Sequence, residues 1–214
     1  MLRRDFSRAF VASSALASLT AWPLTVRAQG PAALREGRDY VRLARPAPVD
    51  AQAGQIEVLE FFAYTCIHCY NFEPLFEDWK KGIRSDVLVR RVPVAFSEAF
   101  VPLQRLYYAL EGMGQLDALH RRVFQAIHED KQRLSNAETI VAWVGKQGVD
   151  TKKFTEFYNS FAVAGKTRRA VQLQDAYQVE GTPSLGIAGR FYVSGQGPRT
   201  LVIANALIDQ LRRG

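Results

Sequence analysis

Cys66 and Cys69 are the only cysteines of a 214-residue chain, and they stand in the run Cys66-Ile67-His68-Cys69, directly after the apolar stretch Ile56–Phe62. If a helix begins at Cys66, the i and i+3 side chains share a face and come close enough for a disulfide. The first cysteine then sits where unpaired amides and the macrodipole favour an anion, and a thiolate is the nucleophile of disulfide exchange. Cys69, one turn inside and shielded, suits the resolving role. His68, protonated or as a hydrogen-bond donor, can stabilise charge on Cys66, or be a neutral surface residue. Three other chemistries use paired cysteines. Structural zinc takes about four ligands, and beyond the cysteines only His68, His120 and His128 are at hand, the last two read as structural or surface residues. A structural disulfide around so short a loop removes little chain entropy. Haem attachment places His directly after the second cysteine, where this chain has Tyr70. A redox-active pair is the favoured reading.

The elements that must hold this pair are legible from periodicity. Ile56–Phe62 reads as a buried parallel strand with Glu60 inside it. Cys69, Phe72, Phe76 and Trp79 follow helical spacing after it, with Pro74 expected to kink the helix. Tyr40–Leu43 and Val87–Val94 read as further strands. Leu103, Leu106, Tyr107 and Leu110 make one amphipathic stripe, and Leu116, Leu119, Val123 and Ile127 a second. Ser135-Asn136-Ala137-Glu138 reads as a capping box before a third helix, and Asp150 as the cap of a fourth carrying Phe154, Phe157, Tyr158 and Phe161. A helix over Thr167–Tyr177 leads to Gly181-Thr182-Pro183, a hairpin turning at Gly189, and a closing helix over Leu201–Leu211. Strand, helix, strand, all-helical segment, helix, hairpin, helix is an α/β order with one interruption.

Residues 1–28 have a different character. Arg3, Arg4 and Arg8 precede the uncharged stretch Phe10–Leu24, and Val26-Arg27-Ala28 offers small residues for cleavage after Ala28. Basic, apolar and small, in that order, is a secretory signal peptide, too short for a membrane span of about 20 residues. Arg3-Arg4-Asp5-Phe6 fits a twin-arginine route as well as the general secretory one. Removing the leader lowers the formal charge from +7 to +4, leaving 24 basic and 20 acidic residues, scattered or in pairs such as Arg90-Arg91 and Arg168-Arg169. That argues against a nucleic-acid partner. Export also places the cysteines in an oxidising compartment.

Leu59-Glu60-Phe61-Phe62, Cys66-Ile67-His68-Cys69-Tyr70, Phe72-Glu73 and Thr182-Pro183, with the helical segment between them, resemble the DsbA family of periplasmic disulfide oxidases over nearly the whole mature chain. The resemblance implies a thioredoxin fold with an inserted α-helical domain. Residues 1–28 are then the signal, 29–99 and 166–214 the two parts of the thioredoxin-like domain, and 100–165 the insertion. One departure is Ile67, where the best-known members carry proline. By the resemblance Glu60 lies beneath the active site and exchanges protons with Cys69, with Glu73 nearby; a strand-end glutamate reaching solvent is the alternative. It also makes Pro183 a cis-proline against the disulfide, beside the Thr182 hydroxyl; a trans turn is the alternative.

The function expected is an exported thiol–disulfide oxidoreductase. It donates a Cys66–Cys69 disulfide to newly exported, unfolded proteins with free thiols in the periplasm. The resemblance adds reoxidation by a DsbB-like quinone-linked membrane oxidase. No metal or organic cofactor is implied, and a monomer is expected. A reductase or isomerase on the same fold is the alternative, although isomerases of this group usually dimerise through an amino-terminal domain that Gln29–Ala53 is too short to form. A non-catalytic binding or holdase protein sits badly with two cysteines at a helix start, and a cytosolic glutathione-dependent isomerase with the leader.

Overall fold

The computed structural model describes residues 34–213. The leader and its cleavage after Ala28 lie outside them. In chain order the elements are β1 (Val41–Arg42), β2 (Ile56–Phe62), α1 (Ile67–Gly82), β3 (Val87–Pro93), a 3-10 turn (Glu98–Phe100), α2 (Val101–Gly112), α3 (Leu116–His128), α4 (Ala137–Lys146), α5 (Thr151–Tyr158), α6 (Phe161–Ala176), β4 (Ser184–Ile187), β5 (Phe191–Ser194) and α7 (Pro198–Arg212).

One five-stranded sheet runs β1-β5-β4-β2-β3, and only the β2–β3 pair is parallel. β2 is central and buried on both faces, which is why five of its seven residues are apolar and its two acids, Glu57 and Glu60, are buried as well. Val58 and Glu60 point to the face covered by α1 and α7, where Phe72, Phe76, Leu185, Ile203 and Leu207 close a core. Leu59 and Phe61 point to the other face, and Phe61 meets Tyr177 beyond the end of α6. The insertion supplies Leu106, Leu110, Val123, Phe124 and Ile140 to that second core. This is the thioredoxin fold with an inserted α-helical domain. No helix among the described residues is long and apolar enough to cross a membrane.

Two local expectations are corrected. The cap of α4 is Asn136, not Ser135: its side chain accepts from the Thr139 amide at 2.9 Å, and Thr139 answers, completing a box one residue later than expected. Phe161 does not belong to the helix capped by Asp150. That helix ends at Tyr158, and Ser160, accepting from the Val163 amide at 3.2 Å, starts α6 at Phe161, which is 95% exposed. α6 therefore begins six residues before Thr167, and the boundary expected after residue 165 falls within it. α1 continues on both sides of Pro74, which lies within it.

Parallel and antiparallel pairing together set where the site must lie. Phe61 of β2 is opposite Ser184 of β4, and Phe62 is opposite Pro93 of β3. The chain leaving β2 toward Cys66 and the chain entering β4 through Thr182-Pro183 therefore meet at one end of the strands, beyond Phe61 and Ser184.

Candidate active site

Cys66 is the N-cap of α1, in extended backbone conformation, so its side chain lies at the mouth of the helix among unpaired amides. Both cysteines are thiols in this structure; Cys66 is half-buried and Cys69 buried. The Cys66 thiol is lowered to about 5. The largest cause is the hydrogen bond from the Cys69 thiol; the Thr182 side chain and the amides of Cys69 and His68 add to it, against the opposing effect of burial. Burial pushes the Cys69 thiol far up, and the hydrogen bond to Cys66 raises it further. Two thiols of one motif are thus driven apart, one toward thiolate and one toward thiol.

Thr182 and Pro183 lie where the pairing of β2 with β4 requires. The Thr182–Pro183 peptide is cis. Cys66 Sγ lies 3.3 Å from the Thr182 carbonyl oxygen, to which the thiol donates. Close packing behind this loop depends on Gly195 of the hairpin, where a Cβ would stand 2.4 Å from the Pro183 carbonyl oxygen. Ile67 is exposed beside Cys66. His68 is exposed too and faces a groove of about 640 Å³ shared with Phe72, Leu75, Thr182 and Pro183. No hydrogen bond joins its imidazole to Cys66; what the residue gives the thiolate is its backbone amide.

Glu60 does not reach solvent. It is 1% exposed and bound to Arg91 of the neighbouring strand, Nε to Oε2 at 2.9 Å. The same guanidinium holds Glu73 at 2.7 Å and Glu77 at 2.5 Å, both from α1. Burial pushes Glu60 up to about 8 even against the pull of Arg91. Glu73 is held below the usual carboxylate range, its burial outweighed by His120 and Arg91, and Glu77 is down at about 2. The sequence reading of Arg90-Arg91 as a solvated pair is corrected for Arg91, whose side chain is 10% exposed and serves buried carboxylates, and sequence reasoning did not single out Glu57 or Tyr64. Glu57 is also buried, on the opposite face of β2, and pairs with Arg90 at 2.6 Å. The signal available for it was a second acid, three residues before Glu60 in an otherwise apolar strand, a spacing that puts the two on opposite faces. Among the described residues no group of three or more His, Cys, Asp or Glu side chains is gathered as a metal site would require.

A family model for the DSBA-like thioredoxin domain matches residues 84–204. The chain belongs to the DsbA family. It is 42% identical over 194 residues to the thiol:disulfide interchange protein DsbA of Bordetella parapertussis, covering 91% of this chain and 88% of that one. It is 38% identical over 180 residues to the protein of that name from Pseudomonas aeruginosa, covering 82% and 85%. The crystal structure of Pseudomonas aeruginosa DsbA superposes with a TM-score of 0.79 at 38% identity, over 83% of this chain and 94% of that one. The oxidoreductase DsbA from Xylella fastidiosa gives 0.80 at 29% identity, over 85% and 99%. As a family member this chain is a protein thiol–disulfide oxidoreductase.

Proposed function

We propose that the protein donates a Cys66–Cys69 disulfide to exported proteins bearing free thiols, and that it works in the periplasm. The observation that carries this reading is the opposite displacement of the two thiols, Cys66 down to about 5 and Cys69 far up. A substrate thiolate attacks Cys66 Sγ, the sulfur–sulfur bond breaks, and Cys69 leaves and takes up a proton. A second substrate thiolate attacks its own sulfur in the mixed disulfide and expels Cys66 as a thiolate. The substrate loses two electrons and the pair gains them.

Direction follows from the stability of that thiolate. Against an ordinary thiol, a value near 5 favours the dithiol form at pH 7 by at most about 2.7 kcal/mol, solvent screening of the half-exposed sulfur reducing it. That corresponds to roughly 60 mV for a two-electron couple. The pair is an oxidant because its reduced form is the comfortable one. The groove beside His68 and Pro183 suits an extended, partly apolar substrate segment, as unfolded chains present. His68 at its rim contacts substrate and adds positive charge to the mixed-disulfide stage when protonated. Reoxidation falls to a DsbB-like quinone-linked membrane oxidase, and the protein acts as a monomer. The leader over residues 1–28 supports delivery to the periplasm.

The test is equilibration with defined ratios of reduced and oxidised glutathione. A pair that stays reduced at ratios which leave ordinary protein disulfides oxidised supports the reading; a pair that is oxidised at those ratios indicates a reductase.

A further inference from the structure

Cys66 is reached through a tight turn, its amide donating to the Ala63 carbonyl at 3.0 Å. Tyr64–Thr65 is therefore the central peptide of that turn, the one whose rotation interconverts turn types. The rotated form demands a positive φ at the β-branched Thr65, which Thr65 does not have here. Both ends of Tyr64 are held by one face of α3. His128 Nε2 donates to the Tyr64 carbonyl at 2.9 Å, and His120 Nδ1 lies 2.7 Å from the Tyr64 hydroxyl. His120, Phe124 and His128 follow each other at i, i+4 and i+8, so a single stripe of the insertion carries all three.

The same stripe grips the far side of the motif. Tyr70, directly after Cys69, stacks on the His128 ring with centroids 5.2 Å apart and planes 15° from parallel, and its hydroxyl donates to Glu129. His128 thus touches the residue two before Cys66 and the residue one after Cys69.

We propose that His128 is a positioning residue for the disulfide chemistry. By fixing the Tyr64–Thr65 peptide and seating Tyr70, it holds Cys66 Sγ within reach of the Cys69 thiol, the first amides of α1 and Thr182. The insertion then tunes the thiolate as well as covering the sheet. Without this hold the turn samples other orientations, the geometry at Cys66 loosens, and the thiolate loses stabilisation. The inference rests on Cys66 being the reacting thiolate.

The test compares wild type, His128→Leu, His128→Gln and Tyr70→Leu in the reduced full-length mature protein. Each is followed by thiolate absorbance against pH, by glutathione equilibrium and by denaturant unfolding. Loss of one hydrogen bond's worth of orientation should raise the Cys66 midpoint in His128→Leu by about 0.4–1 unit. The glutathione equilibrium at pH 7 should move roughly threefold to tenfold toward the disulfide. His128→Gln, whose amide can sit where Nε2 sits, should recover most of both shifts. Tyr70→Leu should give a smaller shift in the same direction, and it stands as the test if His128→Leu does not fold. Folded variants with wild-type midpoint and equilibrium, however much stability they lose, overturn the proposal and leave His128 a packing residue. A wild-type protein with no thiolate transition below pH 7 would instead overturn the assignment of Cys66.

Discussion

Cys66 Sγ and the carbonyl oxygen of Thr182 are 3.3 Å apart although 116 residues separate them in the chain. The contact exists because β2 and β4 are antiparallel neighbours, so the exit of one and the cis-proline entry of the other lie side by side at the same end of the sheet. On the proposed function, a substrate segment lying along Thr182-Pro183 would meet the more exposed sulfur, with the buried Cys69 behind it.

Cys69→Ser should accumulate mixed disulfides with substrate thiols, because Cys66 can still be attacked or attack but nothing resolves the adduct. Cys66→Ser should form almost none. Non-reducing gels of each variant after exposure to a substrate mixed with oxidised glutathione read this directly. Adducts on Cys66→Ser at the level of Cys69→Ser would reverse the roles.

The dithiol form should be more stable to denaturant than the disulfide form, by an amount that depends on pH. Cys66 is depressed in the folded state from its ordinary value near 9 to about 5. Its contribution is complete above the unfolded value, falls as pH drops, and is gone below about 5. Midpoints of both forms at several pH values should diverge from pH 5 upward and level off near pH 9. A constant gap would show that the thiolate is not its source.

Substitutions beside Cys66 should rank by what touches it. Cys69→Ala removes the largest cause of the low Cys66 value and should raise the thiolate midpoint most. His68→Ala keeps the backbone amide and should raise it by less than about one unit, a through-space charge effect only. A larger shift from His68→Ala than from Cys69→Ala would mean that the imidazole turns onto the sulfur in solution.

Arg91→Met should be among the most damaging changes away from the cysteines. It leaves Glu60 and Glu73 buried without their cation, at a cost of about 3–5 kcal/mol by denaturant unfolding. Glu60→Gln should behave otherwise. Because Glu60 is raised from 4.5 to about 8, the folded protein binds a proton that the unfolded chain releases, and stability declines as pH rises across that interval. The variant should lose that decline and be the more stable protein relative to wild type at pH 8 than at pH 5. An equal difference at both values would place Glu60 outside this linkage.

What was legible in the sequence was local. Ile56–Phe62 reads as the central strand because a short stretch rich in apolar and aromatic residues and bounded by turns has few other uses, and the helix start at Cys66 follows from Cys69, Phe72 and Phe76. The Asn136 cap was missed by one residue because Ser135 and Asn136 are both good caps, and the choice depends on which one reaches the N3 amide. The Arg91 cluster was not legible, since its carboxylates lie 31, 18 and 14 positions away and converge only through the β2–β3 register and one face of α1. His120 and His128 looked like structural or surface residues because their common partner, Tyr64, is 56 and 64 positions distant.

The central claim is that one sulfur of the pair is a stabilised thiolate, and the ultraviolet thiolate titration of the reduced protein measures it. A single transition near pH 5, absent from Cys66→Ser, is the predicted result, with Cys69 staying protonated throughout the accessible range. A first transition near the ordinary thiol value of about 8.5, or one near 5 that survives in Cys66→Ser, would contradict it.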